Sequence, residues 1–102
     1  MKSFQEICLL LRSGQFELTR HAFKRAVERN ISDREICDIG VNGEIIEDYP
    51  DDKYAPSCLI FGVTANNRPL HVQVSRADTD MLKIITLYEP DPDEWIDGRT
   101  RR

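Results

Sequence analysis

Paired cysteines, a glycine-rich loop, a long apolar run near the start and a strong excess of basic charge are all missing from this 102-residue sequence. Each absence removes a class of function. Cys8, Cys37 and Cys58 are odd in number, far apart and set among apolar neighbours, as reduced core thiols are. No Cys-x-x-Cys spacing offers a structural zinc site, so neither a metal nor a cofactor is expected. The apolar run Ile7-Cys8-Leu9-Leu10-Leu11 is five residues long, too short for a signal core or a membrane span, so a cytoplasmic protein without membrane contact is expected. There is no Gly-x-Ser-x-Gly elbow and no zincin pattern. Asp51-Asp52 and Asp78/Asp80 could hold a cation, but they read first as acidic turns.

Charge is unevenly spread. The net value of −4 arises from +1 over Met1–Gly43, −8 over Glu44–Gly98 and +3 in the tail Arg99–Arg102. A broad electrostatic footprint for nucleic acid is therefore lacking, and any anion must be gripped locally. Hydrophobic residues at 40% and charged residues at 31% fit a soluble folded chain. The length fits one domain over residues 1–102, with Arg99–Arg102 expected as a flexible basic tail.

Helix starts are well marked. Ser3-Phe4-Gln5-Glu6 and Ser32-Asp33-Arg34-Glu35 are capping boxes, and Thr19 is a third cap. The first helix is expected to close at Gly14, the second at Asn30 and the third between Gly40 and Gly43. After Gly43 the period changes. Glu44–Tyr49 reads as an edge strand stopped by Pro50, and Ser57–Thr64 as a central strand. Asn66-Asn67 signals a hairpin into Leu70–Ser75, where Leu70, Val72 and Val74 alternate with His71 and Gln73. Ala77–Asp80 turns the chain into Met81–Tyr88, and Trp95 is expected on a short closing turn after Asp91-Pro92. The expected fold is α+β, N-terminal helices packed on a four-stranded antiparallel sheet.

Two places could carry chemistry. On the second helix Ala22, Phe23, Ala26 and Val27 share the side assigned to the core, and His21, Arg25, Glu28 and Arg29 share the other, with Lys24 at its edge. Such a ladder of donors near a helix N-terminus suits phosphate. The same face also fits a solvated surface on which Arg25 and Arg29 pair with Glu28 or Glu17. His71 points away from Leu70, Val72 and Val74, and histidine suits proton transfer near neutrality, although a lone strand histidine is also a common structural residue. Thr86 and Tyr88 share a face with each other; register alone decides whether they meet His71.

Three stretches together resemble a known family. They are His21-x-x-x-Arg25-x-x-Glu28-Arg29-x-Ile31-Ser32, then Tyr49-Pro50 through Ser57-Cys58-Leu59, and Arg68-Pro69-Leu70-His71-Val72 with Thr86-x-Tyr88-x-Pro90. The pattern, over roughly Leu18 to Trp95, is similar to the bacterial domain-of-unknown-function family 4258. That family looks like a branch of the RelE/BrnT/barnase-like toxin ribonucleases, often encoded beside a zinc-finger antitoxin. The resemblance implies an endoribonuclease of a toxin–antitoxin pair that needs no metal and leaves a 2′,3′-cyclic phosphate. It implies His21, Arg25, His71 and Tyr88 as catalytic residues, with Lys24, Arg25 and Arg29 binding phosphate. RNA or the ribosome and a zinc-finger antitoxin would be partners. Two other classes stay open: a non-catalytic anion- or protein-binding module on the same scaffold, and an interaction protein dimerising through the edge strand Glu44–Tyr49.

Overall fold

Side chains at each helix start supply the acceptors that the first turn lacks. The computed structural model describes residues 1–102 throughout. Ser3 Oγ accepts from the Glu6 amide at 3.1 Å, and the Glu6 carboxylate accepts from Ser3 N at 3.4 Å, opening α1 (Phe4–Arg12). Gly14 follows at φ +74° and releases the chain into β1 (Phe16–Leu18). Thr19 Oγ1 accepts from Ala22 N at 3.1 Å and opens α2 (Arg20–Arg29), which closes on Asn30 in the left-handed conformation. A second capping box, Ser32 with Glu35, opens α3 (Asp33–Asn42). The remaining elements are β2 (Glu44–Tyr49), β3 (Ser57–Val63), β4 (Pro69–Ser75), β5 (Leu82–Tyr88), β6 (Trp95–Ile96) and β7 (Thr100–Arg101).

The main sheet has five strands in the order β1-β5-β4-β3-β2 and is mixed, because β1 runs parallel to β5. This corrects the expected four-stranded antiparallel sheet. Three residues are too few to show alternation in sequence, and the partner of β1 lies at the far end of the chain. The pairing is continued by Leu82 N donating to Gln15 O and Thr19 N to Ile84 O, each at 3.0 Å. As expected, β2 is an edge strand.

One sheet face carries the main core. Cys58, Ile60, Leu70, Val72, Val74, Leu82, Ile84 and Leu87 meet Ile7 and Leu11 of α1 and Ile36 and Ile39 of α3. The helices α1 and α3 lie close together at Gly40, where an added Cβ would come within 2.7 Å of Arg12 N and Cys8 O. Helix α2 sits at the β5 side and differs from expectation. Ala22 and Ala26 are buried, but Phe23 and Val27 are 63% and 65% exposed. Two alanines bring the helix backbone close to the sheet, and the contact is then too narrow to cover the larger residues flanking it.

The chain end is ordered by pairing. Thr100–Arg101, expected within a flexible tail, forms β7 against β6, with Asp97 (φ +52°) and Gly98 (φ +73°) making the turn. No helix is long and apolar enough to cross a membrane.

Candidate active site on the second sheet face

A bulge in β5 positions the most accessible imidazole. The β4–β5 register slips between Gln73↔Thr86 and Val74↔Ile84, leaving Ile85 as the extra residue. Ile84 O accepts from Thr19 N, and Ile85 O accepts from Thr19 Oγ1 at 3.0 Å. The residue that caps α2 is thus fastened to β5. His21, in the first turn of α2, is thereby held with Nε2 3.1 Å from Thr86 Oγ1.

A polar row continues across the sheet. Thr86 faces Gln73, whose Nε2 donates to Ser57 Oγ at 3.1 Å. The Ser57 hydroxyl donates in turn to Asp52 Oδ2 at 2.6 Å. Over this row opens a cleft of about 710 Å³, lined by Thr19, His21, Gln73, Ser75, Lys83, Ile85 and the loop residues Asp52–Ala55.

The adjacent row is closed. His71 pairs with Tyr88 on one side and Phe61 on the other, and its side chain is fully buried. Trp95 meets the imidazole edge-on with ring centroids 4.5 Å apart. Nε2 lies 2.6 Å from Gly98 O; a carbonyl only accepts, so Nε2 carries the proton. Nδ1 is left to accept from the Tyr88 hydroxyl at 3.4 Å. Neither His71 nor Tyr88 lines the cleft, although the family resemblance implies both as catalytic residues; His71 stands behind Tyr88. The hairpin over it is tied down by Arg101, whose Nε donates to Glu47 Oε2 at 2.7 Å while its guanidinium lies 4.6 Å from the Trp95 ring. Arg99 bonds Glu44 and covers Phe61.

Burial pushes the His71 pKa below its ordinary 6.5, opposed by the Gly98 hydrogen bond and the Glu47 charge. The Tyr88 hydroxyl is pushed upward, again chiefly by burial. A stability effect follows from the histidine. The unfolded chain takes up a proton near pH 6.5 that the folded chain refuses, so His71's contribution is full above that pH. Stability is expected to fall as pH drops from 6.5 toward the lowered folded value, by at most about 1.4 kcal/mol per pH unit. Urea midpoints between pH 7.5 and 5 check this, and a His71→Gln variant is expected to flatten the dependence.

The donor ladder on α2 is partly engaged. Arg25 Nη1 lies 3.5 Å from Glu28 Oε2, and Lys24 Nζ 4.0 Å from Glu28 Oε1, while Arg29 makes no ion pair. Such exposed pairs are weak and exchange readily for a better anion. Arg68, not singled out from sequence as a functional residue, is structural: its guanidinium donates to Arg29 O and Asn30 O and pairs with Glu35 and Glu89. Nowhere do three His, Cys, Asp or Glu side chains converge as metal ligands would. Cys8 and Cys58 are buried and Cys37 half-buried; burial pushes the Cys58 thiol up to about 11.

A family model described as domain of unknown function (DUF4258) matches residues 18–89. The chain belongs to the DUF4258 family. The DUF4258 span begins at the end of β1 and ends just after β5, taking in His21, Arg25, His71 and Tyr88. The hairpin that seals His71, β6 with β7, lies outside it. No curated protein and no solved structure gives a significant match.

Proposed function

We propose that the protein is a metal-independent endoribonuclease of the toxin type, built on a RelE/barnase-like scaffold, with its site at the His21 end of the cleft. What supports this reading is the placement of two proton-transfer groups on one sheet face, at neighbouring positions of β5. His21 reaches Thr86, and Tyr88, two residues farther along β5, is backed by His71. Two residues of strand span about 6.8 Å, which leaves room for a phosphodiester between the imidazole and the phenol.

The chemistry balances with these groups alone. The ribose 2′-oxygen attacks phosphorus, and its proton passes to the Tyr88 oxygen as the Tyr88 proton moves to His71 Nδ1. The P–O5′ bond breaks, and protonated His21 gives its proton to the leaving oxygen, leaving a 2′,3′-cyclic phosphate. Arg25, released from Glu28, stabilises the phosphorane, with Lys24 and Arg29 drawing the RNA backbone along α2. His71 acts here through Tyr88 as a positioning and relay residue. A zinc-finger antitoxin as the restraining partner, and the ribosome as the place of cutting, belong to the same proposal.

A second reading has its own supporting observation. Both nitrogens of His71 are engaged and the ring is sealed, as suits a binding module that has lost turnover. The ends of cut RNA discriminate. RNA from cells expressing the protein is expected to gain 5′-hydroxyl ends matched by 2′,3′-cyclic phosphates. New ends bearing 5′-phosphate would contradict the mechanism, and unchanged RNA with abundant folded protein would favour the binding module.

A further inference from the structure

The end of the cleft farthest from His21 is built differently. Ser57, fully buried, fixes the direction of every hydrogen bond around it. Its hydroxyl donates to Asp52 Oδ2, so it can only accept from Gln73, and Gln73 must present its amide nitrogen to Ser57. The Gln73 carbonyl oxygen is thereby left without a protein partner, pointing away from Ser57 as an acceptor. Asp52 adds a carboxylate whose Oδ1 also accepts from Lys53 N at 2.9 Å, and each oxygen keeps a further lone pair. Both hydrogen bonds hold the Asp52 carboxyl below the usual range, Ser57 contributing most, so it is ionised at neutral pH. This end therefore offers acceptors, with the Lys53 ammonium at its rim.

An aromatic side chain stands beside it. Tyr54 lines the cleft from the loop between β2 and β3, yet is 91% exposed, with the Lys53 ammonium 5.3 Å from its ring centroid. A large apolar ring left in water at the rim of a polar cleft is a stacking platform for a base. From β5 to β3 the row spans two strand spacings, about 10 Å, which matches the reach of one nucleotide from phosphate to base edge.

We propose that Asp52, Gln73 and Tyr54 form a guanine-recognition subsite, which orients an RNA nucleotide with its phosphate toward His21 and Lys83. This rests on the proposed ribonuclease reading and names the base it would read. Guanine fits because N1–H and the N2 amino group place two donors side by side on one edge. Adenine and cytosine offer a single donor group there, and uracil one N–H between two acceptors. Tyr54 stacks any base, so it supplies affinity without choice; Asp52 and Gln73 supply the choice.

The test titrates the full chain with the four nucleoside 3′-monophosphates, following amide chemical shifts. Guanosine 3′-monophosphate is expected to bind about tenfold more tightly than uridine 3′-monophosphate. Asp52→Asn is expected to erase that difference, and Tyr54→Ala, at an exposed ring, to weaken all four about tenfold. Equal binding of the four nucleotides, a guanine preference untouched by Asp52→Asn, or no binding at all would each overturn the subsite. Mapping RNA ends separates the two proposals. Discriminating binding without any cleavage leaves the subsite standing and removes the nuclease. His21-dependent cleavage with no base preference at the cut does the reverse.

Discussion

His71→Ala is expected to cost the fold about 3–4 kcal/mol. The imidazole is fully buried among Phe61, Tyr88 and Trp95, and its removal leaves a void that aromatic rings on three sides cannot close. It also strands the Gly98 carbonyl, which now receives the Nε2 proton at 2.6 Å. In a chain of this size such a loss corresponds to a fall of roughly 15 °C or more in Tm. Urea unfolding gives the number directly. A companion His71→Phe variant restores volume but not the donor, so its loss is expected to be smaller by the cavity contribution. Were both variants as stable as the parent, the hairpin would not depend on His71 at all.

His21→Ala is expected to do the opposite: little to stability, much to activity. The side chain is exposed and makes one hydrogen bond, to Thr86. Exposed substitutions of this kind shift stability by about 0.5 kcal/mol or less. Removing a positioned general acid lowers the rate by about 10²–10⁴-fold. The measurement is RNA cleavage by purified parent and variant at matched concentration, with circular dichroism of both. A tenfold loss or less would take His21 out of the chemistry.

These two histidines show what sequence could and could not carry. Local signals were legible: the Ser3/Glu6 and Ser32/Glu35 boxes, the Thr19 cap and the left-handed Asn30 are each decided within four residues. His71 was placed correctly on the face opposite Leu70, Val72 and Val74, because alternation fixes faces. Its burial was not legible, since that depends on a hairpin arriving from more than twenty residues away. The signal for that hairpin was nonetheless present in Asp97-Gly98, the pair favoured in two-residue β-turns, between Ile96 and Arg99.

Helix α2 failed for a different reason. Periodicity marks an apolar arc but not how much of it a neighbour covers, so Phe23 and Val27 were assigned to a core that Ala22 and Ala26 alone enter. Lys2 shows the converse. Its buried ammonium donates to Ala77 O at 2.6 Å and Thr79 O at 2.5 Å, a long-range arrangement that no local pattern announces. The row from His21 to Asp52 joins a helix, three strands and a loop through register and a bulge, neither of which the sequence displays. The α2 motif identifies His21, and alternation puts Thr86 with Tyr88 and Gln73 with His71; the fold joins Thr86, Gln73, Ser57 and Asp52 to His21 in one row.

The most direct test of the central claim is induced expression of the parent and of His21→Ala in a bacterial host, with growth and RNA 5′ ends followed together. Working in cells keeps ribosomes available as the place of cutting. The expected result is growth arrest with new 5′-hydroxyl ends for the parent, and neither for the variant at equal abundance. New ends produced equally by both would contradict His21 as the acid, and no new ends from either would contradict the nuclease itself.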